Sequence, residues 1–305
     1  MTGGAASSFD VVVIGGSFAG LSAALQLGRA RLRVAVIDAG SPRNRFASHA
    51  HGVLALDGVP GSEILSRARA QMRTYPTVTL IEGTATGARA DGEEFIVSLK
   101  VGSDLRARRL LLSGGVRDVL PDIPGVAERW GKTALHCPWC HGYEVGGGPI
   151  GILGRGEMAG HYALMVSNWG EATVFLQSDA TLSAEEIQHL GERGATIERI
   201  AIAHLEGPAP ALEAAVLTDG RRVPLRALFV GSSVEPSDGL AVQLGCAFVD
   251  TPVGRVVEVD NMQQTSVAGV YAAGDLARAA GNVTWAVTDG MAAGHAIFRS
   301  LKLPH

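Results

Sequence analysis

VVVIGGSFAG, residues 11–20, is a β-branched apolar run that ends in glycines and passes directly into helical spacing. With its surroundings it reads as a strand (FDVVVIGG), a helix (FAGLSAALQLGRA) and a second strand (RVAVIDAG), which together make a βαβ unit. Glycines in the first turn of such a unit let backbone N–H groups approach a pyrophosphate at a helix N-terminus. The slots of the G-x-G-x-x-G fingerprint fall on Gly15, Ser17 and Gly20, so serine replaces the middle glycine. Asp38 closes the second strand, where an acid accepts ribose hydroxyls. The expected dinucleotide contacts are Gly15, Gly16, Ser17, Phe18, Ala19 and Gly20 in the turn, then Asp38 and Ala39 after the second strand.

The uncharged stretch 11–28 has the length of a membrane span. Gly15-Gly16-Ser17 interrupts it, and the first basic residue is Arg29, which leaves a signal peptide without its basic flank. A hydrophobic content of 47% with 18% charged residues suits a well-buried globular enzyme and argues against disorder. A net charge of -4 offers no electrostatic case for nucleic acid or an anionic membrane. Cys137, Cys140 and Cys246 are the three cysteines, too few for a disulfide-stapled secreted fold. A cytoplasmic protein with one reactive pair is expected, and Cys246 reads as a small buried hydrophobe.

The βαβ pattern recurs at PIGILGRG (149–156), MAGHYALMVSNW and ATVFLQSD, which suggests an internal duplication. VLPDIPG (119–125) and VGSSVEPSDG (230–239) read as hinges, and the tail, VAGVYAAGD followed by WAVTDGMAAGHAIF, completes the first domain. The expected fold is α/β, with two Rossmann-like nucleotide-binding domains. A discontinuous first domain (1–118 and 240–305) holds an inserted second one (119–239).

HCPWCHGYE, residues 136–144, can be read as a c-type haem attachment, as half a zinc site with His136 and His141, or as a redox dithiol. Haem of that type is attached outside the cytosol. A structural zinc site needs a second ligand pair, and the chain has no other C-x-x-C. A redox dithiol without metal is therefore preferred.

VVVIGGSFAG, the C-x-x-C of the second domain and GVYAAGD near the C-terminus, in that order over nearly the whole chain, resemble the low-molecular-weight thioredoxin reductases. The resemblance implies FAD in the first site, with Gly274 and Asp275 beside the ribityl and pyrophosphate. It also implies that Cys140 is the thiol facing the flavin and Cys137 the one that meets substrate. Cys137-Pro138-Trp139-Cys140-His141-Gly142-Tyr143-Glu144 is closer still to the C-x-x-C-H-G-[YW]-E signature of dithiol oxidases that close disulfides in small natural products such as gliotoxin and holomycin. Reductases carry Asp where this chain has His141. The implied function is a FAD-dependent dithiol oxidase for a small-molecule dithiol, with the flavin reoxidised by O2. The alternative is an NAD(P)H-dependent thioredoxin or disulfide reductase acting on a thioredoxin-like protein. A homodimer is the family expectation.

Gly154, Gly156 and Ala159 fit a second dinucleotide turn, G-x-G-x-x-A. The strand after it leads into Ser178, Asp179, Ala180 and Thr181, with no Arg or Lys for a 2′-phosphate. A nicotinamide domain that has lost NAD(P)H is the expectation, with Asp179 binding NADH ribose as the alternative. His141 titrates near neutrality beside Cys140 and is the first candidate base; His136, beside Cys137, is the second. Glu144 is a candidate to orient a histidine, and His49 and His51 are expected on a loop of the FAD domain, similar to one in the oxidases. Arg45, with Arg43, is a candidate FAD contact, and Trp285 a candidate cover for the flavin.

Overall fold

A computed structural model describes residues 7–177 and 180–303. Ser178 and Asp179 lie outside the described residues. The chain forms two compact units: Met1–Arg45, Gly61–Arg117 and Val234–His305 make one, Phe46–Pro60 and Asp118–Ser233 the other.

The first unit opens with strand β1 (Ser7–Ile14), helix α1 (Phe18–Arg29), strand β2 (Val34–Asp38), helix α2 (Gly61–Met72) and strand β3 (Val78–Glu82). A meander of β4 (Ala85–Asp91), β5 (Glu94–Leu99) and β6 (Leu105–Leu112) follows. The sheet order is β3-β2-β1-β6-β5-β4. The four strands from β3 to β6 in that order pair in parallel, and β4, β5 and β6 pair antiparallel. Val11, Val12 and Val13 are wholly buried. A central parallel strand covered on both faces has no polar side, so its sequence does not alternate.

The chain leaves along β7 (Val116–Val119). The second unit runs through β8 (Ala134–Leu135), helix α3 (Pro138–Val145), β9 (Pro149–Leu153), α4 (Ala159–Val166), β10 (Glu171–Phe175), α5 (Ala184–Glu192) and β11 (Thr196–Glu198). Strands β12 (Ile202–Glu206), β13 (Ala214–Leu217) and β14 (Arg222–Pro224) form an antiparallel sheet, and β15 (Ala227–Val230) returns to the parallel one. That parallel sheet has the order β11-β10-β9-β15-β8. Its core strands place Ile150, Ile152, Val174 and Phe229 fully inside.

The chain comes back along β16 (Ser233–Pro236) into α6 (Leu240–Gln243), β17 (Phe248–Thr251), β18 (Gly254–Val257), β19 (Val270–Ala272) and α7 (Val283–Lys302). Strand β5 pairs with Leu105–Ala107 of β6, and β19 pairs with Leu110–Leu112 further along β6. The C-terminal segment thus fills the part of β6 that the meander leaves open. Helix α7 buries Ala293 and Ile297 in the cluster that holds Ala23, Ala24 and Leu27 of α1. Among the described residues no helix is long and apolar enough to cross a membrane.

Candidate active site

Cys137 and Cys140 are disulfide-bonded, with their Cα atoms 5.3 Å apart. Cys137 is the N-cap of α3, and Pro138 takes the first helical position, where a missing N–H costs nothing. The first turn of α3 holds no acid. The positive end of the helix dipole therefore favours a thiolate at the cap once the pair is reduced. Gly142 lies against the Trp169 indole, and Trp169 stands edge-on to Trp139 with ring centroids 5.2 Å apart. Trp139 is 73% exposed and Tyr143, one turn further, 90% exposed. The disulfide is thus flanked by two exposed rings on one helix.

His141 is half-buried. Burial pushes its pKa below the ordinary value of 6.5; the Glu144 carboxylate pulls the other way, and His51 and Lys132 add to the lowering. A neutral imidazole, ready to accept a proton, therefore sits next to Cys140. Glu144 Oε1 is 3.4 Å from His51 Nε2, and His51 Nδ1 is 3.6 Å from Asp57 Oδ1. The His49 ring lies 6.3 Å from that of His51. The loop carrying these histidines follows β2 in sequence, but it groups with the second unit. Lys132 helps to hold it there, donating to Ser48 Oγ at 2.7 Å.

His136 is placed differently. Its Nδ1 is 3.3 Å from Ser232 Oγ, which is itself 3.3 Å from Asp118 Oδ1. The His136 carbonyl accepts a 2.7 Å hydrogen bond from the Tyr162 hydroxyl, whose pKa burial raises well above the ordinary range, so it stays a donor. Among the described residues no group of three or more His, Cys, Asp or Glu side chains is placed to hold a metal ion.

The glycine turn of the first unit explains its own sequence. Gly15 has φ +109°, a left-handed conformation that favours glycine. A Cβ on Gly20 would lie 1.9 Å from the Gly15 carbonyl oxygen. Ser17 caps α1 with φ -99°, which any L-residue adopts, so the middle slot tolerates serine. The Ser17 side chain makes no capping bond and the first turn of α1 carries no acid, an arrangement suited to an anion at the helix N-terminus.

The remaining candidates gather around that turn. Gly16 lies against the Asp38 side chain, Phe18 and Ala19 begin α1, and Ala39 is exposed beside Asp38. Asp38 accepts from the Gly40 amide at 3.0 Å and pairs with Arg69 of α2 at 2.6 Å. Asp275, after Gly274 in the turn Gly274–Ala277, pairs with Arg43 at 2.8 Å. Arg45 is exposed and donates to the Pro42 carbonyl at 3.0 Å. Trp285, in the first turn of α7, lies under the Arg278 guanidinium at 5.2 Å. Arg278 also makes two hydrogen bonds to the buried Asp289, at 2.9 and 2.6 Å. Open turn amides, an acid closing β2 and a second acid before α7 fit a dinucleotide such as FAD. Arg69, Lys132 and Ser232 carry no signal in the sequence, because each is defined by a partner distant along the chain.

In the second unit a Cβ on Gly154 would lie 2.6 Å from Ala159 Cα, a close strand–helix approach of the dinucleotide kind. However, the Glu186 carboxylate, held by Ser183 in a capping box, packs against Gly160 in the first turn of α4. Negative charge there opposes a phosphate.

Residues 9–290 match the family Pyridine nucleotide-disulphide oxidoreductase. The chain is 34% identical to thioredoxin reductase tcpT of Claviceps purpurea, covering 93% of this chain and 92% of the relative. It is 31% identical to thioredoxin reductase sirT of Leptosphaeria maculans, covering 95% and 94%. The crystal structure of an oxidoreductase from Agrobacterium tumefaciens has a TM-score of 0.93 at 45% identity and covers 98% of this chain and 100% of that one. The crystal structure of HlmI has a TM-score of 0.89 at 36% identity, covering 96% and 92%. With a disulfide-bonded cysteine pair and FAD as cofactor, the chain is an oxidoreductase acting on sulfur groups, and it belongs to the pyridine nucleotide-disulphide oxidoreductase family, among its thioredoxin reductase-like members.

Proposed function

We propose that the protein is a dithiol oxidase that closes a disulfide in a small-molecule dithiol and delivers the electron pair to O2. The observation that carries this reading is His141, an imidazole kept neutral by burial and adjoining Cys140. Disulfide exchange proceeds through thiolates, so a resident base at neutral pH serves it.

One substrate thiol gives its proton to His141 and attacks Cys137 Sγ, displacing the Cys140 thiolate. The resulting imidazolium stabilises that thiolate. The second substrate thiol attacks the substrate sulfur of the mixed disulfide and displaces Cys137, releasing the cyclic disulfide. The two protons of the substrate dithiol end on the enzyme dithiol, and the electron pair stays with it. Bound FAD supplies the two-electron acceptor that restores the Cys137–Cys140 disulfide and yields hydrogen peroxide from O2.

The N–H groups of Ser17 to Gly20 would hold the FAD pyrophosphate, Asp38 the ribose and Asp275 the ribityl chain, with Trp285 as cover. Glu186 against Gly160 supports a second unit that takes no NAD(P)H. The reading places the enzyme in the cytosol as a homodimer. Two measurements decide the direction of electron flow. Oxygen-electrode turnover with a panel of small dithiols should show uptake for wild type and none for Cys137→Ser. Anaerobic stopped-flow mixing should bleach the flavin with a dithiol and not with NADPH or NADH. Rapid bleaching by NADPH would instead make the protein a reductase.

A further inference from the structure

Two carboxylates flank the turn assigned to FAD, and each is already held by an arginine. Asp38 is fixed at both oxygens: Oδ1 accepts from the Gly40 amide at 3.0 Å and Oδ2 from Arg69 at 2.6 Å. The same Arg69 nitrogen lies 3.5 Å from the Gly16 carbonyl, so Arg69 bridges the end of β2 and the glycine turn. Asp275 is paired with Arg43 at 2.8 Å, a contact across 232 positions of sequence. The two pairs are partly buried, at 30% and 22% exposure for Arg69 and Asp38 and 25% and 22% for Arg43 and Asp275. Salt screens such pairs less than it screens surface pairs. A Cβ on Gly61, at the start of α2, would lie 2.7 Å from Asn44 Nδ2, so the segments carrying Arg43 and Arg69 pack together.

FAD brings a doubly charged pyrophosphate to this place. A carboxylate beside the turn is useful as an acceptor for a sugar hydroxyl, but its charge repels the phosphates. We infer that Arg69 is a positioning residue for FAD: it orients the Asp38 carboxylate toward the ribose and cancels its charge beside the pyrophosphate, with Arg43 doing the same for Asp275. This rests on FAD occupying the VVVIGGSFAG turn. A guanidinium suits the task because it stays protonated and directs its donors in one plane.

The rival roles are a direct phosphate ligand and a plain anchor for α2, and a double-mutant cycle separates all three. Holoenzyme is diluted and FAD release is followed by the rise in flavin fluorescence, with circular dichroism melting of every variant in parallel. Arg69→Met should release FAD about tenfold faster, as expected when one partner of a hydrogen-bonded charge pair is truncated. Arg69→Lys, which keeps the charge, should recover most of that loss. In the Asp38→Asn background, where no charge needs cancelling, Arg69→Met should change release by less than about twofold, since the two residues act as one unit. Equal effects of Arg69→Met in both backgrounds overturn the inference, because they show a role independent of Asp38. Unchanged release in Arg69→Met, or faster release only in proportion to a lowered melting temperature, overturns it as well. Wild type purified without a flavin spectrum would overturn the cofactor assignment itself.

Discussion

In the proposed mechanism His141 takes up the substrate proton beside Cys140, and its environment makes that role measurable. Burial lowers its pKa from 6.5, while Glu144 opposes the shift. The kcat/KM of dithiol oxidation should therefore stay level through 6.5 and fall only at a more acidic pH, where His141 takes up a proton. Glu144→Gln removes the carboxylate that favours the imidazolium, so the inflection should move further to the acid side. His141→Ala should remove the inflection and cost about 10²–10⁴-fold in rate, the usual worth of a positioned base. The same shift bears on stability. An unfolded His141 binds its proton at the ordinary value and the folded one only at lower pH, so the unfolded state holds more protons between the two. The contribution is complete above 6.5 and lost as pH falls through the folded value. Urea midpoints across this range should drop less for His141→Ala than for wild type.

At the scale of the element, the turn between β1 and α1 is set by backbone geometry more than by chemistry. Gly15 at φ +109° cannot become alanine without strain, whereas Ser17 at φ -99° can become glycine freely. Gly15→Ala should lower stability by about 1–3 kcal/mol and weaken flavin retention, while Ser17→Gly should leave retention near wild type. Thermal melts read together with the flavin-to-protein absorbance ratio check both. Helix α7 acts as a wedge on α1, with Ile297 fully buried in their shared cluster. Ile297→Ala should cost about 2–5 kcal/mol through cavity formation, read by chemical denaturation. The motif GGSFAG was legible because the strand before it and the helix after it are local. Tolerance of serine in its middle slot became explicable only from the cap dihedrals.

Across the whole molecule, VVVIGGSFAG and PIGILGRG announced two parallel-sheet units, since strands buried on both faces must be apolar without alternation. The pairing of Cys137 with Cys140 was equally local, two cysteines one helical turn apart at the start of α3. Other features depend on residues far apart in sequence that meet only when the sheets are in register. Segment Phe46–Pro60 follows β2 along the chain, but it lies with α3 and brings His51 to Glu144. Arg69 reaches Asp38, Arg43 reaches Asp275 across nearly the full chain, and Glu186 takes the space before Gly160. In the proposed reading the Glu186 carboxylate is only one of two obstacles to NADPH, so Glu186→Ala should not by itself restore flavin bleaching, because no Arg or Lys stands between Ser178 and Thr181 for the 2′-phosphate. Stopped-flow mixing of the variant with NADPH measures this. The sequence by itself determined the class of fold, the cysteine pair and the glycine turn, because strand burial, helix spacing and glycine geometry are properties of contiguous residues. Only the tertiary structure decided the burial that lowers the His141 pKa and the partners of Asp38 and Asp275, because desolvation and ion pairing are set by neighbours that the chain brings together in space.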